Sequence, residues 1–251
     1  MLAIIGGTGL TRLPGLAEVR SHLMATPWGE PSAPLLHGVL AGQRVVFLPR
    51  HGAAQPIPPH KVNYRANVWA LREAGAAGIV AVNAVGGIHP TLVPGALAIP
   101  QQLIDYSWGR GHSFSDGGDL PLQHIDFTEP YSQPLRRRLL DAAGRVGMPA
   151  HDGGVYGVTQ GPRLETAAEI DRLERDGCDL VGMTGMPEAA LAREIGLEYA
   201  CCAVVVNRAA GRGEDIHGEF ERWVREGMET ASRLLVEMLN GPVATYAEVA
   251  K

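Results

Sequence analysis

The 251-residue sequence predicts a single α/β domain, with a central mixed β-sheet flanked by helices. Three observations carry that expectation. Short apolar or β-branched runs alternate with longer amphipathic stretches. Most of the short runs lack strict polar alternation, as expected of strands covered on both faces. No repeat, low-complexity tract or long linker divides the chain. Hydrophobic residues make up 45% and charged residues 20%. That is ordinary for a packed domain, with enough apolar material for a core that needs neither disulfides nor a structural metal.

In chain order the expected strands are residues 2–5, 44–48, 78–82, 97–100, 180–183 and 200–206. Among the helices, 62–74 carries Val62, Tyr64, Val68, Trp69 and Leu71 and ends near Gly75. Residues 133–146 and 166–176 give two more. The stretch 186–195 opens with Pro187 in its first turn, where a missing N–H removes no intrahelical bond. The longest helix, 219–239, has an apolar stripe of Phe220, Trp223, Val224, Met228, Leu234, Leu235 and Met238. The glycine-rich segment 109–119 reads as a mobile surface loop. The domain is expected to cover 1–240, with 241–251 as a loose tail.

The net charge of -5 argues against a broad nucleic-acid surface. No apolar run approaches the ~20 residues that span a bilayer. The opening Met1-Leu-Ala-Ile-Ile-Gly lacks the basic start of a secretory signal. Cys178, Cys201 and Cys202 have no metal-ligand spacing, and Cys201 and Cys202 lie in an apolar run. The expectation is a cytoplasmic protein with buried thiols and no membrane or nucleic-acid partner.

Four strand ends carry chemistry. The first is Ile5-Gly6-Gly7-Thr8-Gly9-Leu10, where glycines bring N–H groups against an anion and Thr8 adds a hydroxyl. Taken alone, it is equally compatible with a ligand-free turn. Arg12 stands where a dinucleotide fingerprint needs its third glycine, and no Gly-Lys-Ser/Thr ending makes a Walker loop. The second is Pro49-Arg50-His51-Gly52, offering a planar fork beside an imidazole; an ordinary surface pair is its alternative. The third is Val82-Asn83-Ala84-Val85-Gly86-Gly87. The fourth, Val181-Gly182-Met183-Thr184-Gly185-Met186-Pro187-Glu188, ends a strand at a hydroxyl residue before a helix. Open α/β sheets gather ligands at strand ends, so four such ends together favour an anion-binding enzyme.

With Pro58-Pro59-His60-Lys61-Val62-Asn63-Tyr64-Arg65-Ala66-Asn67 and Gln160-Gly161-Pro162-Arg163-Leu164-Glu165-Thr166, these motifs resemble the trimeric purine nucleoside and methylthioadenosine phosphorylase family. The likeness runs over about residues 2–240, and Lys61-Val62-Asn63-Tyr64 leans toward the methylthioadenosine branch. The resemblance implies a homotrimer without metal or organic cofactor, acting on a purine nucleoside with inorganic phosphate as co-substrate. By position it implies phosphate contacts from Thr8, Arg50, His51, Ala84 and Thr184. Met183 would touch the sugar, Asn207 would recognise the base, and Glu165 and Ala209 would occupy further pocket positions.

The adenine-type branch has aspartates where this chain has Asn207 and Ala209. A carboxylate only accepts hydrogen bonds, which suits adenine's 6-amino group and repels O6 of a 6-oxopurine. The Asn207 amide can donate to O6 and accept from N7–H, and an ionised Glu165 can accept from N1–H. Each mismatch costs on the order of 1–3 kcal/mol, so two could give about 10³-fold discrimination. Simpler roles stay open: Asn207 ending a strand, Glu165 favoring a helix start. The 5′ substituent falls to Ile216, His217 or Phe220. An apolar neighbour suits a methylthio group and His217 suits a hydroxyl.

The resemblance thus points to S-methyl-5′-thioinosine giving hypoxanthine and 5-methylthioribose 1-phosphate. Asn207, Arg50 and His51 are the expected catalytic residues. Inosine/guanosine phosphorylase, methylthioadenosine phosphorylase and a non-catalytic nucleoside sensor are the alternatives.

Overall fold

The computed structural model describes residues 1–53, 56–115, 121–213 and 220–242. The strands are β1 (Leu2–Gly6), β2 (Ala17–His22), β3 (Leu35–Leu40), β4 (Gln43–Pro49), β5 (Gly78–Gly87), β6 (Leu97–Ile99), β7 (Gln102–Asp105), β8 (Ala150–Asp152), β9 (Val155–Val158), β10 (Leu180–Gly182) and β11 (Glu198–Arg208). The helices are α1 (Tyr64–Glu73), α2 (Gln133–Arg145), α3 (Ala167–Arg175), α4 (Gly185–Glu194) and α5 (Phe220–Asn240).

Strand β5 is the axis. It pairs in parallel with β1 and with β11, and near its end it pairs antiparallel with β10. Beyond β1 the sheet continues through parallel β4 to antiparallel β3 and β2. Beyond β10 it runs through β9 to β7, while β11 also joins β6 and then β8. The sheet is mixed, as expected.

Strand pleating sends neighbouring residues to opposite faces, and both faces here are covered. Ile5, Val46 and Ile79 join Val68, Leu71 and Leu191 in one core. Ile4, Phe47 and Val80 join Leu135, Leu235 and Met238 in the other. The first lies under α1 and α4, the second under α2 and α5. All three cysteines are buried. No described helix is long and apolar enough to cross a membrane.

The expected helices form with ends shifted by a residue or two. Two strand boundaries move in a way that matters for chemistry. Strand β5 runs on to Gly87 and β11 to Arg208, so Asn83, Ala84 and Asn207 sit inside strands rather than after them. Strands β2, β3, β7, β8 and β9 were not anticipated. Strands β7, β8 and β9 are only three or four residues long, β2 is exposed throughout, and the apolar run of β3 is interrupted by His37 and Gly38.

The segment expected to be mobile is corrected over Gly109–Ser115. Arg110 is clamped to backbone carbonyls, Phe114 is fully buried, and Ser113 and Ser115 bond Glu194. Residues 116–119 of that segment, and the tail beyond Pro242, lie outside the described residues.

Candidate active site

A cleft of about 540 Å³ opens where β1, β4, β5, β10 and β11 deliver their ends, a size typical of small-molecule sites. Thr8, Arg50, His51, Ala84, Glu165, Met183, Thr184, Asn207, Ala209 and Phe220 all line it. Residues scattered over two hundred positions of sequence therefore share one wall.

At one end, β1 turns through Gly7 to Leu10, whose N–H donates to Gly7 O at 3.0 Å. A Cβ on Gly7 would stand 2.9 Å from Arg50 Nη1 and 2.5 Å from Val82 O. Gly9 has φ +82° and lies against Val224 of α5. Glycine is required at both positions, once by contact and once also by backbone conformation.

Arg50 departs from the expectation of a free fork. It is 0% exposed, and its Nε and Nη2 donate to Glu188 Oε1 and Oε2 at 2.6 and 3.0 Å. Nη1 donates to Val82 O at 3.2 Å. Three of five N–H groups are committed, leaving one hydrogen on each terminal nitrogen for an anion. Burial alone would lower the Arg50 pKa; the charge and hydrogen bonds of Glu188 reverse that and hold it above the ordinary arginine value. Glu188 accepts a further bond from Tyr199 at 2.9 Å.

Thr184 precedes α4 and makes no capping bond. Its hydroxyl oxygen accepts from Asn83 Nδ2 at 2.8 Å, so its own proton is left to donate. The His51 ring is half-buried, with Nδ1 2.8 Å from Ile57 O. A carbonyl only accepts, so Nδ1 carries the hydrogen and Nε2 of the neutral ring is an acceptor. Burial, and then the Arg50 charge, push the His51 pKa below its ordinary 6.5. A neutral His51 can accept from a phosphate hydroxyl.

At the other end the decisive feature is a β-bulge. Val205 pairs with Val85 and Asn207 with Gly86, leaving Val206 as the extra residue. Such a bulge re-aims the side chains that follow it. A Cβ on Gly86 would lie 3.4 Å from Asn207 Nδ2, an ordinary contact distance, so the amide lies directly against β5. Asn207 Nδ2 donates to Arg208 O at 2.7 Å, which fixes which way the amide faces. One N–H and Oδ1 remain for a ligand.

Glu165 does not serve the start of α3. Thr166 caps that helix in a reciprocal box with Glu169. Glu165 Oε1 instead accepts from Thr159 Oγ1. Phe220 reaches the cleft from the start of α5, while Ile216 and His217 lie outside the described residues.

Sequence reasoning missed the roles of Glu188, Asn83, Tyr199, Thr159 and Arg110. One signal was available for Glu188: a carboxylate opening the apolar helical run Ala189 to Ala192 has to be paired when buried. Nothing local marked the others. Among the described residues no group of His, Cys, Asp and Glu could hold a metal ion.

The chain matches the Phosphorylase superfamily over residues 1–240. A relative from Pseudomonas syringae pv. tomato, named a probable S-methyl-5′-thioinosine phosphorylase, is 55% identical over 240 residues, covering 95% of this chain and 98% of that protein. The 6-oxopurine nucleoside phosphorylase of Pyrococcus furiosus is 43% identical over 242 residues, covering 94% of this chain and 90% of its own length. A structure of methylthioadenosine phosphorylase from Schistosoma mansoni in complex with tubercidin superposes with a TM-score of 0.88 at 31% identity, covering 95% of this chain and 90% of that one. With the family match over residues 1–240 and these relatives in agreement, the chain belongs to the phosphorylase superfamily.

Proposed function

We propose that this chain cleaves the N-glycosidic bond of 6-oxopurine nucleosides with inorganic phosphate, and that S-methyl-5′-thioinosine is its substrate. The observation that carries the reading is one cleft with donors for an anion at one end and the Asn207–Glu165 pair at the other. Phosphate is held by the remaining Arg50 hydrogens, the Thr184 and Thr8 hydroxyls, His51 and the backbone at Ala84. Holding it beneath the anomeric carbon replaces an encounter by an oriented attack. The anion then faces the developing positive charge of the sugar. The purine leaves as its N7 gains a proton; Asn207 Oδ1 accepts from N7–H while its free amide hydrogen meets O6. An amide is no acid, so that proton comes from solvent. Met183 packs against the sugar and Ala209 beside the base.

The apolar ring of Phe220 favours a methylthio group at C5′, as does the name of the Pseudomonas relative. The enzyme is proposed to work as a cytoplasmic homotrimer without a cofactor.

The test is phosphate-dependent cleavage of S-methyl-5′-thioinosine, inosine and S-methyl-5′-thioadenosine, with hypoxanthine or adenine release as the readout. Cleavage of the first at the highest kcat/KM is expected. Preference for the adenine nucleoside, or release without phosphate, refutes the reading. Light scattering decides the subunit number.

A further inference from the structure

Glu165 is met from behind by Thr159, whose Oγ1 lies 2.5 Å from Oε1. Thr159 is held on both backbone groups. Its N–H donates to Gly182 O at 2.8 Å, and its carbonyl accepts from Arg110 Nη2 at 3.2 Å. Arg110 places all five of its hydrogens nearby, the others going to Gln160 O and Oε1, Met183 O and Met186 O. This one guanidinium therefore ties the loop before Glu165 to the loop carrying Met183 and Thr184. Thr159 is also β-branched, which stiffens its side chain.

A hydroxyl has one proton to give. Within reach of Thr159 Oγ1 are Glu165 Oε1 and, at 3.4 Å, Gly182 O. The carboxylate is nearer and charged, so it takes the bond. That contact restrains the carboxylate at Oε1 and leaves Oε2 to serve the cleft that Glu165 lines. Such a group welcomes the N1–H of a 6-oxopurine and opposes the N1 lone pair of a 6-aminopurine.

We propose that Thr159 is a positioning residue that determines base selectivity, by holding Glu165 as an acceptor aimed at the N1 edge of the purine. The inference rests on the reading that a 6-oxopurine nucleoside is the substrate.

The test measures kcat/KM for S-methyl-5′-thioinosine and S-methyl-5′-thioadenosine, and KM for phosphate, in wild type, Thr159→Val and Thr159→Ser. Valine keeps the shape and removes the donor; serine keeps the donor. In Thr159→Val the 6-oxopurine kcat/KM is expected to fall about ten-fold or more, as for a lost bond to a charged group. The ratio of the two substrates narrows and phosphate KM stays put. Thr159→Ser stays within about three-fold of wild type on the same reasoning, and Thr159→Val adds no loss to Glu165→Gln. An unchanged substrate ratio in Thr159→Val overturns the proposal. So does an equal loss on both substrates with a parallel rise in phosphate KM, or the same loss in the Glu165→Gln background. A wild-type preference for the adenine nucleoside overturns the functional reading itself, and shows before any variant is made.

Discussion

At the anion end of the cleft Arg50, Asn83 and Glu188 are 0%, 1% and 0% exposed, whereas at the base end Glu165 and Asn207 keep partial contact with solvent. The buried end is cross-linked: Glu188 accepts from Arg50 and Tyr199, and Asn83 bonds both Thr184 and Cys201. At the base end, Glu165 and Asn207 each have one anchoring hydrogen bond. Low dielectric makes the first arrangement rigid and costly to break. The second can change with one substitution. On the proposed function, the reactant shared by every turnover would meet the rigid end, and the group that distinguishes one nucleoside from another would meet the adjustable one.

The largest expected effect tests that rigidity. Glu188→Ala strands a buried guanidinium, and by analogy with broken buried pairs it should cost about 3–5 kcal/mol. Urea denaturation reads this, and a loss below about 1 kcal/mol, the range of exposed pairs, would remove the contrast between the two ends. Next comes Thr184→Val, which deletes one charge-assisted donor. Phosphate KM should rise about ten-fold to a hundred-fold with nucleoside KM little changed, as steady-state kinetics will show.

At the base end, Asn207→Asp should leave stability alone and move preference toward 6-aminopurines by about 1–3 kcal/mol in relative kcat/KM. Unmoved selectivity would take Asn207 out of base recognition. Beside Glu165 but outside the cleft lining, Thr166→Ala removes the α3 cap and should cost about 1 kcal/mol of stability, read by the same urea denaturation.

The smallest effect is a slope against pH. The His51 pKa is lowered in the fold, so between that lowered value and 6.5 the folded protein binds fewer protons than the unfolded chain. Its contribution is complete above 6.5 and is lost as pH falls toward the folded value. Thermal midpoints from pH 7 to 5 should drop more steeply for wild type than for His51→Gln. Parallel curves would deny the shift.

Much of this was legible beforehand. The runs around Ile4, Phe47, Val80 and Val204 are apolar enough to be buried on both faces, and the anticipated site residues among the described ones line one cleft. The free fork at Arg50 was misread because its partner lies 138 residues away. Arg110 sat in a glycine-rich segment that gave no sign of order, since most of its partners are backbone carbonyls, common to all residues.

By itself the sequence determined the class of fold, the strand-end motifs, and the chemical types brought to the cleft: an amide at 207 and a carboxylate at 165. Those follow from apolar periodicity and from residue identity, which are local. Tertiary structure alone decided that Glu188 occupies Arg50, that Asn83 donates to the Thr184 hydroxyl oxygen, and that a bulge at Val206 re-aims Asn207. Each depends on pairing between distant segments, and a hydrogen bond is fixed only when both partners have been brought to the same place.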